Sequence, residues 1–245
     1  MELTYLITFT VTLIACILSG VAGGGAGYIT APYWLLIGMS PAQGVATGSF
    51  MGIGMSIGSL TAFRKAEHYP RNKKLVIALT IITTIFSIIG AFIISRIDVN
   101  SFKNILAIIT ILSIPTIFID RRKIRLSKGY QNIGIVLFLI ILFAGSIITS
   151  STFSILITVG LVQIFNLTII ESTAMRRLIG MIQAVIIFTI LAWQGNFMLF
   201  QSIAGVIGGT IGSYIGTRFA IKKGEGFAKY ALAVGAMVGA VALFW

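Results

Sequence analysis

The chain has 245 residues, of which 57% are hydrophobic and only 10% are charged, and its mean hydropathy is +1.03. This composition excludes a water-soluble domain, in which about 25% of the residues are charged. The formal net charge of +12 could indicate nucleic-acid binding, but the Lys and Arg residues lie between apolar blocks instead of forming one basic face. We interpret them as membrane topology signals and expect no nucleic-acid partner.

The single cysteine and the single histidine exclude several kinds of chemistry. Cys16 alone cannot form an intramolecular disulfide, and His68 alone cannot supply a multi-histidine metal site. A serine–histidine hydrolase would need its histidine beside the reactive hydroxyl, whereas His68 falls in a predicted loop. We therefore expect no enzyme activity and no bound metal or cofactor.

Apolar blocks in the first half of the chain predict five helical segments, the second of them short. A glycine-rich break at 23–27 separates the first segment from this short piece. Ser40 and Pro41 have the character of an N-cap and a first-turn proline, so they predict the start of the third segment. The five segments are 3–20, a short piece that ends at residue 39, 41–63, 75–95 and 104–119.

The second half of the chain repeats this order of lengths. Its clearest internal match aligns residues 89–96 (IGAFIISR) with residues 211–218 (IGSYIGTR). The five segments of this half are 130–148, a short piece at 152–165, 171–193, 197–219 and 227–245.

A duplicated unit with an odd number of crossings must lie in the membrane in two opposite orientations. The predicted fold class is an all-α integral membrane protein, with about eight long and two short, broken transmembrane helices in two inverted repeats of five segments. Residues 1–119 form the first repeat and residues 130–245 the second. A basic cytoplasmic linker at 120–129 joins them.

Basic residues mark one side of the membrane. Loops 64–74 and 218–226 and the linker are rich in Lys and Arg, whereas loops 96–103 and 194–196 have few or none. Cytoplasmic loops carry such an excess, and all three basic segments are cytoplasmic only if the short segments also cross. We expect a multi-pass protein of the cytoplasmic membrane, surrounded by the lipid bilayer, with both termini outside.

Short motifs in the first half resemble those of a known family. They are residues 19–25 (SGVAGGG), Ala31-Pro32, residues 38–41 (GMSP) and Ala46-Thr47. With these motifs the chain resembles the sulfite exporter TauE/SafE family of membrane proteins. The resemblance implies transport of small anions such as sulfite or sulfonates. The second half departs from it, because residues 145–152 (GSIITSST) stand where a glycine-rich break is expected.

Groups at the two breaks are candidate ligands for an anion. A glycine run before a short helix leaves backbone N–H groups accessible, and the positive end of that helix can face the anion. In the second repeat, side-chain hydroxyls take the place of the glycines. The candidate residues are Gly23, Gly24, Gly25, Gly27, Thr149, Ser150, Ser151 and Thr152. The alternative is that the glycines only form a turn and the hydroxyls only satisfy freed backbone groups.

Two arginines are embedded inside an apolar segment, and they are the second set of candidates. At about 100° per residue, one arc of the helix contains Thr173, Arg176, Arg177, Gly180 and Gln183. A planar guanidinium suits a bidentate oxyanion, so Arg176, Arg177 and Gln183 are candidate binding residues. We add Thr47 and Ser49 of the first repeat, where the second repeat departs by having Met175-Arg176-Arg177 in place of Thr47-Gly48-Ser49. The alternative is that the arginines extend to the cytoplasmic interface.

Glu171 is the one acidic residue predicted between apolar segments. It opens the predicted helix 171–193, where a carboxylate can cap the helix and complement its dipole. An ionisable residue inside a membrane segment is also a candidate for proton coupling. If transport is coupled to protons, we expect Glu171 to be the coupling residue.

The function predicted from these features is a secondary transporter that moves a small, sulfur-containing anion by alternating access between the two repeats. A passive anion channel and a non-catalytic membrane scaffold are the alternatives. The expected partners are a small anionic substrate, the lipid bilayer and a coupling proton or other ion. No oligomeric state is predicted.

The topology can be tested with single cysteines. We expect Pro70→Cys to be labelled from the cytoplasm and Gly195→Cys from the exterior, because Lys and Arg are abundant beside the first position and absent around the second. Labelling with a membrane-impermeant maleimide on cells and on inverted vesicles measures this. Labelling of both positions from the same side would contradict the inverted repeats.

Overall fold

The computed structural model describes residues 2–67, 72–118, 128–148 and 153–223, together with Tyr230 and Val234. These residues form nine helices, and none of them lies in a strand. The helices are α1 (Glu2–Ala22), α2 (Ala26–Leu36), α3 (Pro41–Lys65), α4 (Lys73–Ile94), α5 (Val99–Phe118), α6 (Lys128–Ile148), α7 (Ser154–Phe165), α8 (Ile169–Trp193) and α9 (Leu199–Lys223). Of the predicted helix 227–245, Tyr230 and Val234 are helical and the rest lies outside the described residues.

Both predicted short helices are present, and the other seven have 20 to 25 residues. α2 has 11 residues and α7 has 12, so each is about 17 Å long and covers roughly half of the hydrocarbon layer. Within the described ranges, four helices are long and apolar enough to cross a membrane: Leu3–Ala22, Pro41–Lys65, Lys73–Ile94 and Ile169–Trp193. The protein is therefore a multi-pass membrane protein.

Capping boxes begin two of the long helices. The Ser40 hydroxyl accepts a hydrogen bond from the Gln43 N–H, and the Gln43 side chain accepts one from the Ser40 N–H, with Pro41 at the first helical position as predicted. Thr168 and Glu171 make the same pair of bonds before α8. α8 thus begins at Ile169, two residues before the predicted start, because Thr168 caps it.

Glycines let α9 approach α1 closely. Three glycines of α9 face three residues of α1 at the same spacing of four: Gly208, Gly212 and Gly216 against Phe9, Leu13 and Ile17. A Cβ atom on Gly212 would lie 2.5 Å from the Leu13 carbonyl oxygen, so the two backbones are in contact. Because both sets of numbers rise together, the two helices are parallel. The glycines of α9 therefore serve close packing against α1.

α3 lies on another side of α9 and is also parallel to it. Ser213 donates a hydrogen bond of 2.8 Å to the Met55 carbonyl, and Thr217 donates one of 3.0 Å to the Ser59 hydroxyl. It follows that α1 and α3 run in the same direction. The chain between them, residues 23–40 with α2, therefore returns from the C-terminal end of α1 to the N-terminal end of α3.

The helices α3 and α8 run in opposite directions. The ring centroids of Phe50 and Phe188 lie 4.6 Å apart, and a Cβ on Gly52 would lie 3.7 Å from the Ala184 Cβ. Residue numbers along α8 therefore fall where those along α3 rise. α4 and α6 are parallel to each other, since Phe86 packs on Phe143 and Gly90 faces Ser146. The bundle thus contains parallel and antiparallel helix pairs around the α3–α8 contact.

The α1–α9 contact predicts different effects of alanine at two glycines of the same helix. Gly212→Ala should lower the free energy of unfolding by about 1 to 3 kcal/mol, because the new methyl group meets the α1 backbone. Gly205→Ala is the matched control, since its Cβ would lie 3.5 Å from the Met51 Cβ, an ordinary contact. Thermal unfolding in detergent measures both, and an equal loss in the two variants would contradict the close α1–α9 packing.

Candidate functional site

The two short helices begin at the same place in the bundle. Gly25 is the N-cap residue of α2, and Ser154 is the first residue of α7. The Gly25 N–H donates a hydrogen bond of 2.8 Å to the Ser154 hydroxyl. The positive ends of two helices therefore face one region, in which an anion would be stabilised by both.

The glycine run is required by its neighbours. Gly23 and Gly25 have φ angles of +77° and +96°, which residues with a Cβ rarely adopt. A Cβ on Gly23 would lie 2.7 Å from the Thr173 hydroxyl, and one on Gly24 would lie 2.8 Å from the Ser154 Cβ. The run therefore forms a turn that lies close to α7 and α8, and anion binding by its N–H groups stays a prediction. Gly27 is buried in the first turn of α2.

Arg176 and Arg177 are buried in α8, with exposed fractions of 7% and 5%. The Arg176 guanidinium donates a hydrogen bond of 2.5 Å to the Gly23 carbonyl oxygen. The Arg177 guanidinium donates one of 3.1 Å to the Ser19 hydroxyl. The arginines therefore turn into the bundle instead of extending to the interface, and the alternative of membrane anchors is wrong.

The charges of these arginines are not neutralised by these contacts. A carbonyl and a hydroxyl oxygen are neutral, and the Nε atoms of both side chains are buried without a hydrogen-bond partner. The effective cost of burying one such charge is several kcal/mol. An anion placed beside the guanidinium groups would offset this cost and could accept the remaining hydrogen bonds.

A cavity of about 20 Å³ lies beside Arg176, between α4, α6, α7 and α8. Its polar lining consists of Arg176, Gln183 and Thr83, and Gly180 also borders it. The apolar lining residues are Leu79, Phe138, Leu142, Ile157, Leu161 and Ile179. This volume holds about one water molecule, so the cavity is closed to a larger ligand in this conformation.

Residues of the predicted arc of α8 face two different parts of the bundle. Arg176, Gly180 and Gln183 face the cavity, whereas Arg177 turns to Ser19 of α1. The Gln183 amide nitrogen donates a hydrogen bond of 3.2 Å to the Ser146 hydroxyl. Sequence reasoning did not find Thr83, because a single threonine in an apolar helix carries no signal of its own.

The remaining candidates lie elsewhere or are not described. Thr47 and Ser49 are buried in α3, and the hydrogen bonds of Arg176 and Arg177 described above go to Gly23 and Ser19 instead. The Thr47 hydroxyl and the Trp34 indole N–H are both buried without a partner. The candidate residues of the second break, Thr149, Ser150, Ser151 and Thr152, lie outside the described residues.

Glu171 occupies the capping box that begins α8. Its carboxylate accepts hydrogen bonds from the Thr168 N–H at 3.1 Å and from the Thr168 hydroxyl at 3.0 Å. The predicted capping role is therefore confirmed, with Glu171 at the third helical position instead of the first. Its role in coupling stays a prediction.

Comparisons with known proteins give one family and several relatives. The family described as "Sulfite exporter TauE/SafE" matches residues 8–243. A "Probable membrane transporter protein" of Haemophilus influenzae is 24% identical over 224 residues, which are 89% of this chain and 86% of that protein. "Probable membrane transporter protein YfcA" of Escherichia coli K12 is 32% identical over 106 residues, which are 43% of this chain and 38% of that protein. No solved structure matches the chain.

Two substitutions separate the capping role of Glu171 from the coupling role. Glutamine can complete a capping box but cannot carry a proton, so Glu171→Gln should leave the melting temperature unchanged. Glu171→Ala should lower the free energy of unfolding by about 1 kcal/mol, because the Thr168 N–H loses its partner.

Transport driven by a pH gradient is then measured in both variants. Loss of this transport in the stable Glu171→Gln protein would assign the coupling carboxylate to Glu171. Equal destabilisation by glutamine and alanine would contradict the capping box.

Proposed function

This chain belongs to the sulfite exporter TauE/SafE family, and from that premise we propose that it is a secondary transporter of a small, sulfur-containing anion such as sulfite or a sulfonate. Relatives that bear the name of probable membrane transporters support this proposal. The observation that carries it is the burial of Arg176 and Arg177 against neutral oxygens, at the point where two short helices begin.

Arg176 is the principal anion ligand in this proposal. Its guanidinium borders the closed cavity and lies next to the glycine run. It can therefore bind an oxyanion through two parallel hydrogen bonds, as a guanidinium binds a carboxylate. Gln183, about two turns further along α8, adds an amide to the lining of the same cavity. Arg177 contributes positive charge from the side of α1, where Ser19 holds its guanidinium.

Protein groups now occupy the positions that an anion would use. The Ser154 hydroxyl accepts from the Gly25 N–H, and the Gly23 carbonyl accepts from Arg176. An oxyanion has several acceptor oxygens and can replace both partners at once. Because the cavity has room for about one water molecule, binding requires that the surrounding helices move apart.

Alternating access between two inverted repeats, 1–119 and 130–245 with the linker 120–129, is the proposed mechanism. Pairing α1, α2, α3 and α4 with α6, α7, α8 and α9 relates many of the observed contacts. The contact α1–α2 corresponds to α6–α7, α2–α3 to α7–α8, α1–α9 to α4–α6, and α3–α9 to α4–α8. The two glycines of the internal match make equivalent contacts, because Gly90 of α4 packs against α6 and Gly212 of α9 packs against α1, each the first helix of the other repeat. An exposed isoleucine stripe on α4 at 81, 85, 89 and 93 matches one on α9 at 203, 207, 211 and 215. Such symmetry supports two repeats that exchange conformations.

The proposed orientation places both termini outside the cytoplasmic membrane. α3 and α9 are parallel and end in Lys65 and Lys223, so their basic ends lie at the same end of the bundle. This arrangement agrees with a cytoplasmic location of both ends. A proton or another ion remains the proposed coupling partner, with Glu171 as its candidate residue.

Charge removal at Arg176 tests the proposed site. Arg176→Gln should weaken sulfite binding at least tenfold, since it removes the guanidinium beside the cavity, and tenfold corresponds to about 1.4 kcal/mol. Arg177→Gln should cause a smaller loss, because its guanidinium contacts Ser19 and not the cavity. Isothermal titration in detergent measures the affinities.

Arg96→Gln is the matched control for this experiment. Arg96 is exposed after the end of α4, so its loss removes the same charge without touching the site. We expect its affinity to equal that of the wild type. Unchanged affinity in the folded Arg176→Gln protein, or an equal loss in all three variants, would contradict the site.

A further inference from the structure

One aromatic residue holds two cations from different helices at the surface. The Tyr214 hydroxyl accepts hydrogen bonds from Lys65 Nζ at 3.5 Å and from Arg218 Nη1 at 3.3 Å. The same ring has Lys65 Nζ at 5.6 Å and the Arg218 guanidinium carbon at 5.7 Å from its centroid. We call these three residues the Tyr214 cluster. It joins the last turn of α3 to α9, and both cations are exposed.

The arrangement concentrates positive charge instead of dispersing it. Two long, flexible side chains could separate in water, but here both contact one phenol ring and one hydroxyl oxygen. Cation–π attraction and these bonds hold each cation, yet neither contact supplies a full negative charge. A phosphate group could accept hydrogen bonds from the Lys65 ammonium and the Arg218 guanidinium together.

An exposed apolar stripe of α9 leads to the cluster. Its members are Ile203, Ile207, Ile211 and Ile215, with exposed fractions of 43 to 48%. At about 100° per residue, Tyr214 and Arg218 lie in the same arc of the helix as this stripe. An apolar strip that ends in two cations has the polarity of one phospholipid molecule, with its acyl chains beside the isoleucines and its headgroup at the cluster.

We propose that the Tyr214 cluster binds the phosphate of an acidic phospholipid in the leaflet that surrounds the C-terminal ends of α3 and α9. Charge complementarity selects this occupant, because a headgroup with net negative charge is attracted by each Lys or Arg near the surface, whereas a zwitterionic headgroup is not. The lipid bridges Lys65 and Arg218 and so holds α3 against α9. Ser59 precedes Lys65 by less than two turns and Thr217 directly precedes Arg218, so the Thr217–Ser59 hydrogen bond of 3.0 Å is part of the same contact.

The thermal stability of the purified full-length chain in neutral detergent tests this site. Phosphatidylglycerol at about 100 times its Kd should raise the melting temperature by about 5 to 10 °C more than phosphatidylcholine with the same acyl chains. Native mass spectrometry of the same samples should show retained phosphatidylglycerol. Equal stabilisation by the two lipids would overturn the proposal.

Two double variants separate the cluster from general attraction to negative charge. Lys65→Gln with Arg218→Gln should remove most of the difference between the lipids. Lys73→Gln with Lys74→Gln is the matched control, because it removes two exposed cations at the start of α4, which follows α3 directly, and should keep the difference. Equal loss in both double variants would overturn the site.

A soluble headgroup distinguishes a lipid from free phosphate. Glycerol phosphate has the same phosphate chemistry without acyl chains, so we expect it to stabilise the chain much less than phosphatidylglycerol at the same concentration. Equal stabilisation by glycerol phosphate would overturn the assignment to a lipid. In the variants, lipid retention is read by mass spectrometry on folded protein, so a change in basal stability does not obscure the result.

Discussion

The burial of two guanidinium groups in an apolar bundle is the constraint on which the rest of the site depends. Each charge needs hydrogen-bond acceptors, and helical backbone has few to offer because its carbonyls bond within the helix. The break after α1 supplies the Gly23 carbonyl for Arg176. Ser19, less than two turns before the end of α1, supplies a hydroxyl for Arg177. The non-helical backbone after α1 therefore lies beside Arg176, the side chain that uses its free carbonyl.

Small residues make this arrangement possible, since apolar surface alone does not hold helices together in lipid. α9 contacts both α1 and α3 through glycine, serine and threonine, and its backbone touches theirs. The same composition lowers its hydropathy, so this long helix is not among the four described helices that qualify as spans by apolarity. Hydropathy alone therefore does not identify a helix on which the packing depends.

The sequence predicted the order of the described helices, the glycine break after α1 and the face of α8 that carries the arginines. These features depend on local signals: Ser40-Pro41 before a helix, glycine runs, and the helical period that groups Arg176 with Gln183. It did not predict that Ser154 would accept from Gly25, which is 129 residues away, or that Arg177 would turn to Ser19, 158 residues away. Such contacts depend on how distant segments meet and on side-chain torsions, which no local pattern encodes. The predicted start of α8 at Glu171 is two residues late, because the sequence prediction did not use the capping-box spacing of Thr168 and Glu171.

On the proposed mechanism, the contacts that an anion replaces are also contacts between the repeats. Gly23 and Gly25 belong to the first repeat, whereas Arg176 and Ser154 belong to the second. An anion that takes over the hydrogen bonds of Arg176 and the Gly25 N–H releases two bonds that hold the repeats together at their breaks. Linkage then requires the reverse effect. A conformation in which these two hydrogen bonds are already broken binds the anion more tightly, by the free energy with which the anion favours that conformation. Substrate binding and the relative position of the repeats are thus coupled through the same four residues.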